Sequence, residues 1–430
     1  MRRLFSVILC LLLCLGCARK EGDPNTVTVW HWMTDRDGAF AELAKRYEEK
    51  TGVKIKTGLF APSDVYSKKI TASTQAGILP DIFGVLDTKK TFSEFIHYGH
   101  VADLTAAFEA DGAAWKSRLL DEALGANTFA KDNVYGVRPG IYGVPLDVTT
   151  IQMLYNKELL ATAGHEDPPK TFEEFIKVSQ DLKRVGIPGM VSGWGEIWLL
   201  DSFASNYAFN IMGEEKIMAT YRGEVPYTDE DWIAVFNIFK KLVENDMLIE
   251  GVVSKPNKEA EQDFALGRAA FAFNGSWSVN VYHKMNPDLK YGVIFPPAVN
   301  PERPLKIWGG AGSSFVVNGR SPRKDKAVAF LKWLTEKEQQ EYLVLATNNL
   351  PSNREALAAV PDILEEFARG MDRATHPSVW KLNEDPLVTE RFARGLQAII
   401  LGKKTPEQVA GEVQEIKERE MDRAARRRRR

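Results

Sequence analysis

The chain has 430 residues, of which 44% are hydrophobic and 27% charged, with a formal net charge of −2. At about 100–200 residues per domain there is room for two or three domains with sizeable cores. A mildly acidic body argues against nucleic acid as a partner, because phosphates favour basic surfaces.

The N-terminus carries the sharpest local signal. Arg2 and Arg3 precede an apolar run from Leu4 to Leu15, too short to span a bilayer, which ends at Gly16-Cys17. A small residue directly before Cys is what a bacterial lipoprotein peptidase accepts. Residues 1–16 are therefore expected to be a signal peptide, and Cys17 a lipidated N-terminus. The pattern prefers Leu three places before the Cys, where this chain has Cys14. A secretory signal cleaved without lipidation and an uncleaved anchor are the alternatives. Residues 17–24 are polar and rich in breakers, as a tether would be. All three cysteines lie at or before Cys17, so the body can hold no disulfide, Cys-based zinc site or catalytic thiol.

Beyond the tether, strand and helix patterns alternate, which implies α/β layers. Val27-Thr28-Val29-Trp30 predicts a strand. Phe40, Leu43, Ala44 and Tyr47 predict the buried face of a helix that Gly52 ends. Val53 to Ile55 predicts a second strand, and Pro80 to Val85 a third ending near Asp87. Capping boxes are expected at Thr91 with Glu94, Thr171 with Glu174, and Thr405 with Gln408, with Pro406 opening the last helix. A helix after Thr228 carries Trp232, Val235, Phe236, Phe239, Leu242 and Val243 on one face. Another after Pro322 carries Ala327, Phe330, Leu331, Leu334 and Leu345. The chain ends in five arginines, Arg426 to Arg430, read either as a solvated tail or as a contact for an anionic surface.

Catalytic and cofactor signatures are missing. Gly309-Gly310-Ala311-Gly312-Ser313-Ser314 lacks both the spacing of a dinucleotide fingerprint and the Lys of a phosphate loop. Gly189 to Gly193 has the wrong spacing for a nucleophile elbow. The six histidines are scattered; His97 and His100 could share a helix face, but no third ligand accompanies them, so no metal and no cofactor are expected. What stands out is tryptophan beside glycine or polar residues at expected loop edges. The groups are Trp30-His31-Trp32, Gly193-Trp194-Gly195-Glu196-Ile197-Trp198, Asn274-Gly275-Ser276-Trp277 and Trp308-Gly309-Gly310. An indole covers the C–H face of a sugar, while Asp, Asn and Arg bond its hydroxyls. Each of these tryptophans, taken alone, serves equally well as core.

With these motifs in order, the chain resembles the family 1 extracellular solute-binding proteins, of the maltose-binding-protein type, over roughly residues 26–420. The resemblance is carried by Ala76-Gly77-Ile78-Leu79-Pro80-Asp81-Ile82, Tyr142-Gly143-Val144-Pro145-Leu146, Leu154-Tyr155-Asn156-Lys157-Glu158-Leu159 and Pro168 to Phe175. In that last stretch Phe172 stands where Trp is usual. It continues through Phe264 to Phe271, Asn274-Gly275-Ser276-Trp277, Lys326 to Leu334 and Leu350-Pro351-Ser352.

The resemblance implies an α/β, two-lobed periplasmic-binding-protein-like fold of type II, with three hinge crossings near 148–153, 291–294 and 349–351. The first lobe would comprise 25–149 plus 294–348, the second 150–293 plus 349–420, followed by a basic tail at 421–430. It implies a monomer that holds a sugar between the lobes and hands it to an ABC permease, with membrane attachment through the N-terminal lipid. The expected ligand contacts are Trp32, Asp35, Asp87, Asp147, Asn274, Trp277 and Trp308, with Gly309 and Gly310 as backbone donors. Trp194, Trp198, Arg354 and Trp380 join them from segments where the family varies. The rivals are a glycan-cleaving enzyme, with a carboxylate pair about 5–10 Å apart, and a binder of a non-sugar solute such as a polyamine or a phosphodiester.

Overall fold

Strands and helices alternate from Thr26 onward in the computed structural model, which describes residues 23–428 apart from Asp87, Ala311 and Lys381. The leader, Cys17, Asp87 and the last two arginines thus lie outside the described residues. Two sheets organise the chain. The first runs in the order Lys54–Leu59, Thr26–His31, Ile82–Val85, Ser314–Val317, Val144–Pro145. Its first three strands are parallel and the fourth is antiparallel to the third. The second sheet runs Tyr291–Ile294, Ile151–Asn156, Phe271–Gly275, Met190–Ser192.

Both sheets are covered on both faces, and side-chain alternation sorts their residues between layers. Val27, Val29, Ile82, Phe315 and Val317 join a core with Phe40, Leu43 and Tyr47 of the helix Asp37–Thr51. Phe83 and Val316, one step out of phase, pack with Tyr66, Phe92 and Phe129 on the other face. In the second sheet Met153, Met190, Phe271 and Phe273 face the large core of the helices Ile197–Arg222, Glu230–Glu244 and Pro386–Ile400. Leu154, Val191 and Ala272 face the opposite layer, with Val148, Leu350 and Phe367.

The capping boxes at Thr171 and Thr405 form as expected, each with reciprocal bonds to Glu174 and Gln408. The third begins one turn early. Thr88, not Thr91, caps the helix Lys89–His97 by accepting from the Thr91 amide. The stripe after Pro322 is two helices, Lys324–Leu334 and Lys337–Thr347, and the break turns Leu345 out to solvent at 69% exposure. The final helix, Pro406–Arg428, runs past the expected boundary at residue 420.

The lobe boundaries also need correction. Tyr291–Ile294 is the edge strand of the second sheet, paired along its length with Met153 to Asn156, and not a crossing. The following segment stays on the second lobe because Asn210 spends its whole amide on it, accepting from the Val299 and Asn300 amides and donating to the Asn300 and Arg303 carbonyls. The chain passes over only between Gly309, bridged to Thr150, and Ser314 in the first sheet. The first passage lies between Pro145 and Ile151. The third begins at Leu350–Pro351, which pairs with Asp147–Val148.

Asp81 fastens the first lobe. It accepts from the Thr28 amide (2.8 Å), Thr28 Oγ1 (2.8 Å) and Ser321 Oγ (2.6 Å) and pairs with Arg323 (3.0 Å). Burial pushes its carboxyl up, but these donors outweigh burial and hold it below its ordinary value. Its contribution is therefore present above the ordinary carboxylate range and lost as pH falls through its depressed value. Asp81→Ala strands Arg323 and three donors, and should cost about 3–5 kcal/mol in urea unfolding at pH 7. It should also reduce the loss of stability on acidification.

Candidate ligand-binding site

The ends of the strands open into one cleft between the lobes, of about 560 Å³, a size typical of small-molecule sites. From the first sheet, the residues just past His31, Leu59 and Val85 line it: Trp32 to Arg36, Ala61 to Asp64, then Leu86 and Thr88. From the second lobe come Glu196, Trp198, Lys258, Trp277, Trp308 and Trp380. This is the place beyond the carboxyl ends of the strands where open α/β sheets bind ligands.

Two glycines make room for two of the indoles. A Cβ on Gly84 would lie 2.3 Å from the Trp32 ring, and one on Gly275 2.0 Å from the Trp277 ring. Carboxylates then orient the rings. Trp277 Nε1 donates to Glu261 Oε1 (3.1 Å) and Trp198 Nε1 to Glu196 Oε2 (3.2 Å). The Trp198 and Trp277 rings meet at 5.9 Å and 53°, forming an angled aromatic wall. Trp308 stands edge-on to Trp380 (6.3 Å) and His376 (5.3 Å), and the Trp308 indole nitrogen has no hydrogen-bond partner among the described residues. Burial holds His376 down to about 4, so it is neutral at physiological pH.

The charges sit in tied groups. Arg36 pairs with Asp35 (3.3 Å) and with Asp147, and donates to Asn349 Oδ1 (2.8 Å). Burial raises Asp35, but Arg36 and Lys258 outweigh it and hold the carboxyl below its ordinary value. Burial pushes Asp147 up against the pull of Arg36. Lys258 pairs with the buried Glu261 (2.9 Å). Across the rim, Ser63 Oγ donates to Glu196 Oε2 (2.5 Å), Asn280 Nδ2 to the Asp35 carbonyl (3.1 Å) and Tyr135 to Asn383 (2.9 Å), and Lys90 pairs with Asp385 (3.1 Å).

A family model described as bacterial extracellular solute-binding protein matches residues 42–368. The chain belongs to this family. Among curated proteins, this solute-binding protein is similar to the maltooligosaccharide ABC transporter solute-binding lipoprotein of Streptococcus pneumoniae, 24% identical over 369 residues, 82% of this chain and 80% of that one. It is also similar to the diacetylchitobiose binding protein DasA of Streptomyces coelicolor, 26% identical over 343 residues, 77% of this chain and 74% of that one. Among solved structures, a chitin oligosaccharide binding protein aligns with a TM-score of 0.79 at 21% identity, covering 92% of this chain and 98% of the other. That likeness shows the two-lobed fold.

Within the solute-binding protein, the residues singled out from sequence divide. Trp32, Asp35, Asp147, Trp198, Trp277, Trp308, Gly309 and Trp380 all line the cleft. Both Asp147 oxygens are committed, one to Arg36 and one to the Ser313 amide, so Asp147 braces the crossing. The Gly309 and Gly310 amides are spent on the Thr375 and Thr149 carbonyls, which removes them as ligand donors. Trp194 lies wholly inside the second-lobe core against Phe203 and Phe239. Asn274 is buried behind Trp277, accepting from the Gly275 amide. Arg354 turns away to the Leu119 carbonyl and Asp121. Trp277 occupies the N-cap of the helix Ser278–Met285, with no side-chain bond. Asp87 lies outside the described residues, although its neighbours Leu86 and Thr88 line the cleft.

Sequence reasoning passed over Arg36, Glu196, Asp201 and Lys258. Arg36 and Lys258 carried a readable signal, each lying beside or three residues from a carboxylate.

Two tryptophans test the division. Trp277→Ala should weaken ligand binding by about 2–4 kcal/mol, roughly 30- to 1,000-fold, with little change in melting temperature. Trp194→Ala should do the reverse, costing about 3–5 kcal/mol of stability. Calorimetric titration and thermal unfolding of both variants separate the roles. A large stability loss with normal affinity for Trp277→Ala would move that residue into the core.

Proposed function

We propose that this protein is the substrate-binding component of an ABC importer, capturing an oligosaccharide between its lobes and presenting it to a membrane permease as a monomer. One observation carries the reading: Trp32, Trp198, Trp277, Trp308 and Trp380 converge from both lobes on one cleft, interleaved with carboxylates, hydroxyls and two cations. Flat apolar faces alternating with fixed hydrogen-bonding groups are what a chain of pyranose rings presents in complement. The names of the relatives agree, since maltooligosaccharide and diacetylchitobiose are both oligosaccharides. The protein binds without turnover in this reading, and the carboxylates serve as acceptors for hydroxyls. The passages near residues 146–150, 310–313 and 350–361 act as the hinge.

A thermal-shift screen of residues 18–430 against mono-, di- and oligosaccharides tests this. A ligand at a hundred times its Kd stabilises the native state by about 2.7 kcal/mol, a clear rise in melting temperature. The saccharide that binds should be recovered chemically unchanged after overnight incubation. Cleaved products would turn the reading towards an enzyme, and no response to any saccharide would overturn it.

We further propose export and lipidation at Cys17, from Gly16-Cys17 at the end of the apolar leader. Among the described residues no helix is long and apolar enough to cross a membrane. Cys17→Ser should release the protein from membranes or block its maturation. Unchanged fractionation, with no lipid mass on the N-terminal peptide, would contradict this.

A further inference from the structure

Behind Trp198 and Trp380 the cleft continues into the second lobe along one face of the helix Ile197–Arg222. Trp198, Asp201, Ser205 and Ala208 fall on successive turns of that face and line the space. Tyr221, from the end of the same helix, and Tyr227 close it. The Tyr221 and Trp380 rings lie 6.2 Å apart at 38°.

One group in this chamber is out of balance. Of the other carboxylates lining the cleft, the buried ones are engaged, while half-buried Asp64 on the first lobe has no partner among the described residues. Asp35 and Asp147 pair with Arg36, and Glu384 pairs with Lys417 (2.8 Å) and accepts from Tyr227 (3.1 Å). Glu196 accepts from the Asn257 amide (2.9 Å) as well as from Trp198 and Ser63. Asp201 makes no hydrogen bond or ion pair with any described residue, and its charge is felt by the Tyr221 and Tyr227 phenols. Burial alone pushes its carboxyl up to about 7. Among the described residues the negative end of the chamber therefore has neither a cation nor a donor, while Trp198, Tyr221 and Trp380 line the same space.

A neutral hydroxyl placed there would bond the carboxylate but leave its charge uncompensated. An ammonium group supplies up to three donors and the missing charge, and the rings of Tyr221 and Trp380 add cation–π attraction.

We propose that the chamber is a subsite for a sugar residue bearing a free amine, with the ammonium paired to Asp201 between Tyr221 and Trp380. This rests on the reading of the cleft as an oligosaccharide site, and names the class of saccharide. Because the empty site favours the protonated carboxyl below about pH 7, an incoming ammonium should expel a proton from Asp201.

The test uses saccharides matched except at one substituent. Cellobiose, N,N′-diacetylchitobiose and the fully deacetylated chitobiose carry hydroxyl, acetamide and ammonium on the same backbone. Glucosamine, galactosamine and mannosamine are compared with their parent hexoses. Titration calorimetry at pH 6.5, in two buffers of different ionisation enthalpy, reads both affinity and proton release. In at least one matched set the amine should bind about tenfold or more tightly than its neutral partners and release protons. In Asp201→Asn the ratio of amine to neutral affinity should fall to near one and the proton release should vanish. If the Asn variant does not fold by circular dichroism, Asp201→Ser takes its place. Equal affinity for amine and neutral partner in every set would overturn the proposal, as would a preference that survives in a folded Asp201 variant. Binding of neutral saccharides alone leaves the oligosaccharide reading standing without the amine subsite. Failure of every saccharide here and in the wider screen overturns both.

Discussion

Arg36 ties together stretches of chain that are far apart in sequence, through Asp147 and Asn349. Its guanidinium is almost fully buried, a costly placement that two carboxylates and an amide oxygen offset. Asp147, its main partner, opens the first passage. The Ser313 amide that donates to Asp147 belongs to the second, and Leu350–Pro351, paired with Asp147–Val148, to the third. One ion pair thus holds three separate stretches of chain in register. Since Arg36 lies only four residues beyond Trp32, the same anchor fixes where the first-lobe indole meets the cleft. A planar fork of donors suits this better than an ammonium, because the acceptors approach from different sides.

Around that anchor the cleft is largely preorganised. Trp198 and Trp277 are each held by a carboxylate behind the ring, so little rotamer freedom is left to lose when a ligand arrives. The same economy explains the placement of Lys258, whose buried partner Glu261 also holds Trp277. Asp201 is the exception. A carboxyl raised to about 7 binds its proton more tightly in the folded state than in the unfolded, so the empty protein loses stability as pH rises from the ordinary carboxylate range through neutrality. Stability given up at a group that lines a cleft is the mark of a site shaped for something other than folding.

Much of this was legible in the amino-acid sequence, and the gaps have physical reasons. Period-two and helical apolar patterns located the strands and helices because burial enforces them, and Thr171 and Thr405 marked helix starts because a cap is a local event. The start near Thr91 was misplaced by a turn, since Thr88 caps equally well and only the chain's path decides between them. The stripe through Leu345 failed because a break at residues 335–336 rotates the next helix. In the site, Trp277 stood out through its small neighbours, but Trp194 and Trp198, four residues apart, could not be told apart. Which of them faces a core and which a cleft depends on helices packed from elsewhere. Part of the charged network was hidden for a related reason: besides its neighbour Asp35, Arg36 meets Asp147 and Asn349, and no spacing along the chain encodes that meeting. The second passage was read too early because the hold of Asn210 on residues 299–303 is likewise a long-range event.

Two of the polar contacts across the rim, Lys90 with Asp385 and Asn280 with the Asp35 carbonyl, are made by side chains that do not line the cleft. Each favours the lobes held together, whichever ligand lies between them. The apparent affinity of such a protein is its intrinsic affinity scaled by the fraction of molecules already in the binding-competent arrangement. Substitutions at the rim can therefore slide every dissociation constant up or down by a common factor, while the order of preference among ligands stays as the cleft sets it. Selection on affinity then has a dial that is separate from the one that chooses the ligand.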